Sequence, residues 1–137
     1  MDTSKLIFTN ADGTLSFGDY TLPEKKKVSD YDYEGAKYKV KTCFELTKLE
    51  KNEGFLYESE PGTTVSGMKM SENEIHFNVK AREDVQITLG LEDGAEYDVT
   101  VDDEKLGKMK TSLGGKLILS VEIKDMAKGA FVKVVKC

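Results

Sequence analysis

Apolar and polar side chains take turns at every second position through most of this chain, and that period suits one kind of backbone. A strand sends successive side chains to opposite faces, whereas a helix gathers apolar residues every three or four positions. Residues 116–124 show the pattern best. Leu117, Leu119, Val121 and Ile123 share one face, Ser120, Glu122 and Lys124 the other, with Ile118 apolar and out of phase. Ile75, Phe77 and Val79 repeat it, as do Val85, Ile87, Leu89 and Leu91, and then Tyr97, Val99 and Val101. Tyr38, Val40, Thr42, Phe44 and Leu46 alternate with Lys39, Lys41, Cys43 and Glu45, which sets Cys43 on the polar side of its strand.

Turn residues punctuate these runs: Asp12-Gly13, Asn52-Glu53-Gly54, Pro61-Gly62, Ser71–Glu74, Asp93-Gly94, Asp102-Asp103-Glu104 and Gly114-Gly115, the last read as a hairpin turn. Leu46 and Leu49 have helical spacing, but Gly54 and the flanking strands favour an extended hairpin there. Thr21–Gly35 reads as a long charged connector that crosses between sheets or caps an end. The expected fold is all-β, a two-layer antiparallel β-sandwich of jelly-roll type with about ten strands. A partly closed β-barrel is the alternative. All 137 residues form one domain, long enough to bury a core without staples.

A net charge of −5 gives no electrostatic case for nucleic-acid binding. No run reaches the roughly 18 apolar residues of a membrane helix, so no membrane partner is expected. The opening MDTSKLIFTNADG lacks a basic segment followed by an apolar stretch, so a secretory signal is not read there. Cys43 and Cys137 lie far apart and in no CxxC pair, which favours free thiols and a cytoplasmic location.

Residues able to carry chemistry are sparse. His76 is the sole histidine; flanked by Ile75 and Phe77, it falls on the face away from the core. One histidine and two distant cysteines do not make a zinc site, so no metal or other cofactor is expected. There is no GxSxG elbow. A Cys43–His76 pair is not fixed by spacing. Glu92, Asp93, Glu96, Asp98, Asp102, Asp103 and Glu104 are either solvated turns and an outward strand face or oxygen ligands for Ca²⁺, without a DxDxDG loop to favour the latter. Lys25-Lys26-Lys27 reads as a solvated loop beside Glu24 and Asp30. The best hint of binding is aromatic. Tyr31 and Tyr33 in the connector and Tyr38 just after it, with Tyr20 before, could stack on a sugar or anchor a partner, or plug the end of the sandwich.

The segments ADGTLSFGDYTLPEKKK, YKVKT, TKLEKN, YESEPGTTV and LGKMKTSLGGKLILSVEI resemble a group of short bacterial proteins that often carry the label endosialidase. The resemblance spans nearly the whole chain and implies a small intracellular β-protein. Sialidase-type sites hold the sugar carboxylate with several arginines, because a planar guanidinium binds carboxylate bidentately. This chain has one, Arg82, so no sialidase activity is expected. Tyr97, Val99, Val101, Gly107, Thr111, Gly115 and Leu117 are also loosely similar to the β-sandwich appendages of carbohydrate-active proteins.

The leading functional expectation is a non-catalytic binding or assembly protein that pairs with a protein partner or with itself as a homo-oligomer. Ile118, and Val132 and Val134 set against Phe131 and Val135, make the last strands apolar on both faces, so something covers them. Lys37, Lys39 and Lys41 look like protection of a strand edge. The alternatives are a carbohydrate-binding module using Tyr31, Tyr33 and Tyr38, with a glycan partner, and a hydrolase centred on His76.

Overall fold

The computed structural model describes residues 6–137, so the first five residues of the opening read for a signal lie outside it. Thirteen strands form two wholly antiparallel sheets, and no α-helix is present among the described residues. In order across the seven-stranded sheet lie β1 (Ile7–Thr9), β2 (Leu15–Phe17), β7 (Thr64–Met70), β8 (Glu74–Lys80), β13 (Ala130–Lys136), β10 (Glu96–Val101) and β11 (Glu104–Lys110). The six-stranded sheet runs β3 (Lys26–Tyr33), β4 (Ala36–Thr42), β5 (Thr47–Lys51), β6 (Gly54–Glu60), β9 (Val85–Gly90) and β12 (Lys116–Val121). Neither sheet closes on itself, so the sandwich is the architecture and the barrel is not.

The core is the set of in-facing residues that the alternation marks. Ile75, Phe77 and Val79 of β8, Ile87 and Leu89 of β9, and Leu117, Leu119 and Val121 of β12 are all buried. Tyr57 on β6 joins the layers, its ring edge-on to Phe17 at 5.2 Å and to Phe77 at 5.7 Å. Such aromatic pairs contribute about 0.5–1.5 kcal/mol beyond their buried area.

Several elements differ from the sequence reading. The connector at 21–35 contains β3, which a bulge between Val28 and Tyr31 keeps out of strict alternation; Asp30 there takes φ 58°. β3 is therefore the sheet edge, and β4 with Lys37, Lys39 and Lys41 is an inner strand between β3 and β5. β4 stops at Thr42, the chain bends, and the alternation slips: Cys43 is buried and Phe44 is exposed, the reverse of the expected facing. Gly114-Gly115 is no hairpin turn, because β11 and β12 belong to different sheets.

Thr9 on β1 hydrogen-bonds Tyr31 on β3 at 2.7 Å, so the two sheets meet flush along that side. The extra strand of the larger sheet must then project at the opposite side. That strand is β11, with six of its seven residues exposed, overhanging β12. Antiparallel order also sorts the loops into two ends. Residues 18–25, 43–46, 61–63 and 81–84 gather at one; 10–14, 52–53, 71–73, 91–95 and 111–115 gather at the other.

Candidate functional site

The first of these ends holds a groove of about 490 Å³, lined by Tyr20, Phe44, Glu45, Glu60, Pro61, Gly62, Arg82 and Glu83. Three of the lining loops, 18–25, 61–63 and 81–84, cross between the two sheets, and the fourth, 43–46, is the β4–β5 hairpin. Phe44 is 44% exposed, held there by its own backbone: its N–H donates to Leu22 O at 2.9 Å, and its carbonyl accepts from Gly62 N–H at 2.9 Å. The chain passes so close at Gly62 that a Cβ would lie 1.9 Å from Cys43 O. An exposed aromatic is thus fixed on rigid backbone rather than set on a mobile loop.

A buried chain of hydroxyls underlies two of the loops. Thr47 Oγ1 donates to Thr63 O at 2.8 Å and accepts from Thr63 N–H at 3.0 Å. With its proton so committed, it accepts the Thr42 hydroxyl at 2.8 Å, leaving Thr42 Oγ1 to accept Asp19 N–H at 2.9 Å. Thr63 Oγ1 meets Tyr57 OH at 2.7 Å and Ser59 Oγ at 2.8 Å. Burial pushes the Tyr57 phenol above its ordinary pKa, against the lowering effect of its Thr63 and Ser59 partners.

Three glutamates face one arginine across the groove, which is therefore net negative. None of these four charges is paired within salt-bridge distance among the described residues. The acid excess repels a sugar carboxylate. A second depression of about 480 Å³ lies over β3, β4 and β5, lined by Ser29, Asp30, Lys37, Tyr38, Lys39, Glu50, Asn52 and Glu53; Tyr38, its one aromatic residue, is buried there, so it offers no exposed apolar group.

The tyrosine triad is largely internal. Tyr33 and Tyr38 are buried and stack edge-on at 5.7 Å. Tyr33 OH donates to Gly13 O at 2.6 Å, and desolvation pushes the Tyr38 phenol up to about 12. Tyr31 is half-buried and tied to Thr9. These rings plug the β1–β3 side and present no shared platform.

His76 sits on the outer face of β8. Its Nδ1 lies 2.8 Å from Glu74 Oε2 and its ring 5.7 Å from Phe131. A carboxylate is in reach, but both side chains lie on an open strand face, each about a third exposed. The acidic residues of 92–104 do not converge: among the described residues, no group of three His, Cys, Asp or Glu is placed to hold a metal ion. Nor is any helix among them long and apolar enough to cross a membrane. Val132 and Val134 are buried, but Ile118 (55% exposed) and Phe131 remain uncovered by the chain itself.

The groove residues carried partial signals in sequence. Arg82 is the single arginine, Pro61-Gly62 a marked break, and Tyr20 one of the aromatic set. Phe44 was hidden by its apparent place in a strand. Comparison with protein families, curated proteins and solved structures yields no match to this chain.

Proposed function

We propose that this protein is a non-catalytic binding protein that assembles with further copies of itself. The observation that carries the reading is the groove at the loop end, where Phe44 is held open on fixed backbone above a fully bonded hydroxyl network. Rigid, preorganised apolar surface lowers the ordering cost of association. The catalytic alternative finds little support, since His76 and Glu74 lie on an open sheet face and catalysis needs an enclosed site where reacting groups converge. The sugar-binding alternative is weakened by the burial of Tyr33 and Tyr38. Sedimentation equilibrium of the purified chain over micromolar to millimolar concentration tests the proposal. Species heavier than 15.3 kDa are expected; a mass fixed at that value throughout overturns it.

A further inference from the structure

Among the described residues, the two open sheets leave four edges, and an edge strand presents backbone groups that can recruit another strand. Three of the four are blunted. β1 has only three residues. β3 is bulged between Val28 and Tyr31 and carries Lys26 and Lys27. β11 is bulged opposite Val99 and Thr100 and carries Lys105, Lys108 and Lys110. β12 has neither device. Its six residues pair with β9 in unbroken register, and the outer face after Lys116 holds Ile118 and Ser120. Lys116 itself leans away from the edge, over the Phe55 ring of β6 at 5.2 Å.

The register tells which groups of β12 are free. Leu91 N–H donates to Gly115 O at 2.7 Å, so these opposed residues form a hydrogen-bonded pair. Antiparallel ladders alternate such pairs with pairs whose backbone groups point away from the partner strand. Leu117, Leu119 and Val121 therefore bond to β9, while Lys116, Ile118 and Ser120 turn their N–H and C=O outward. Ser112 N–H takes the Lys116 carbonyl at 2.8 Å. The N–H and C=O of Ile118 and Ser120 have no partner among the described residues.

Space stands beside them. β11 overhangs this edge, and its inner side is not filled. Met109, opposite buried Tyr97, faces inward yet is only half-buried. Gly107 lies opposite buried Val99, and a Cβ there would meet no atom within 4 Å. The 111–115 crossover bounds this slot at one end, and the Lys124–Glu104 pair at 3.8 Å spans the other. The vacancy is one strand wide, since six strands face seven. Its roof and its edge, Met109, Gly107, Ile118 and Ser120, are uncharged and match an uncharged segment.

We propose that an extended segment of a partner protein adds to β12 as the seventh strand of this sheet. Its backbone bonds the free groups of Ile118 and Ser120, which supplies affinity. Its alternate side chains, apolar and uncharged, fill the space under Met109 and Gly107, which supplies selectivity. The slot admits one chain and not a second sandwich, because β11 stands where the other layer of that sandwich would lie. The proposal goes beyond self-association and does not depend on it.

Residues 85–90 of this chain, VQITLG, already make such a match on the other side of β12. A capped synthetic peptide of that sequence is the probe, and amide hydrogen exchange of the folded protein, read residue by residue by NMR, is the assay. Without peptide, the Ile118 and Ser120 amides should exchange quickly while those of Leu117, Leu119 and Val121 stay protected. Peptide at millimolar concentration should slow the two roughly tenfold or more. The same peptide methylated at every backbone nitrogen keeps the side chains and loses the N–H donors, so it should leave exchange unchanged. Ile118→Lys, at an exposed position, should weaken binding of the plain peptide about tenfold, with circular dichroism confirming its fold. Protection of Ile118 and Ser120 in the dilute protein alone overturns the proposal, as does a plain peptide without effect or a methylated one that binds equally well. Protection that grows with protein concentration in the absence of peptide assigns the edge to a second copy, which overturns this proposal and leaves the self-association reading standing.

Discussion

Replacing Thr47 with valine keeps the shape of the side chain and deletes one hydroxyl from the buried network. Three groups lose their partner: the carbonyl and N–H of Thr63 and the hydroxyl of Thr42. Thr63 has no exposed surface, so water cannot replace the bonds to its backbone. Each stranded backbone group costs about 1–3 kcal/mol. The added methyl recovers roughly 0.8 kcal/mol by burial. The expected net loss is about 1–5 kcal/mol, set against the ~5–15 kcal/mol that holds a typical domain together. In urea, at a slope of about 2 kcal/mol/M, this lowers the unfolding midpoint by roughly 0.5–2.5 M with an unchanged slope. Thr21→Val is the control. Its hydroxyl bonds Asp19 at an exposed position, so a change within about 0.5 kcal/mol is expected. If Thr47→Val unfolds within 0.5 kcal/mol of wild type at equal slope, the network does not hold the groove loops and the argument for a rigid groove fails with it.

Gly62→Ala drives a methyl into Cys43 O and should cost about 1–3 kcal/mol, read as a thermal midpoint lower by roughly 4–12 °C; an unshifted melt would show that the two loops are free to separate. Burial holds the Tyr38 and Tyr57 phenols above the ordinary value of 10.0, so the folded state favours their neutral form. That contribution is complete below about pH 10 and is lost as pH rises through the folded pKa values. Ultraviolet titration should therefore find these tyrosines resisting ionisation until the chain unfolds, whereas a single transition near pH 10 with the fold intact contradicts their burial. Cys43 is buried and Cys137 exposed, so a thiol reagent should modify one cysteine in the native protein and both in denaturant.

The strands from 75 to 101 and from 116 to 121 were legible because each has one wet face and one dry face, and burial alone sets their phase. β3 was not, because the bulge at Asp30 breaks the period that identifies a strand. Phe44 was misassigned for a related reason. Alternation tells which residues share a face only while the strand continues, and nothing in Thr-Cys-Phe-Glu marks the bend after Thr42. The groove was illegible as a whole: its four loops are separated in sequence, and only the stacking of sheets brings them together. The aromatic pair Tyr33–Tyr38 was visible as a cluster, yet the same composition serves a core as readily as a binding face.

The unequal widths of the two sheets restrict how copies can meet. β12 ends its sheet with one side free of partners, an invitation to extend the sheet with a strand from a neighbour. A neighbour approaching in antiparallel fashion arrives as a whole sandwich and would have to slide its own upper layer into the place where β11 already stands. The eave made by β11 therefore hinders extension of the smaller sheet at β12 by a second copy while leaving both ends of the molecule open to contact.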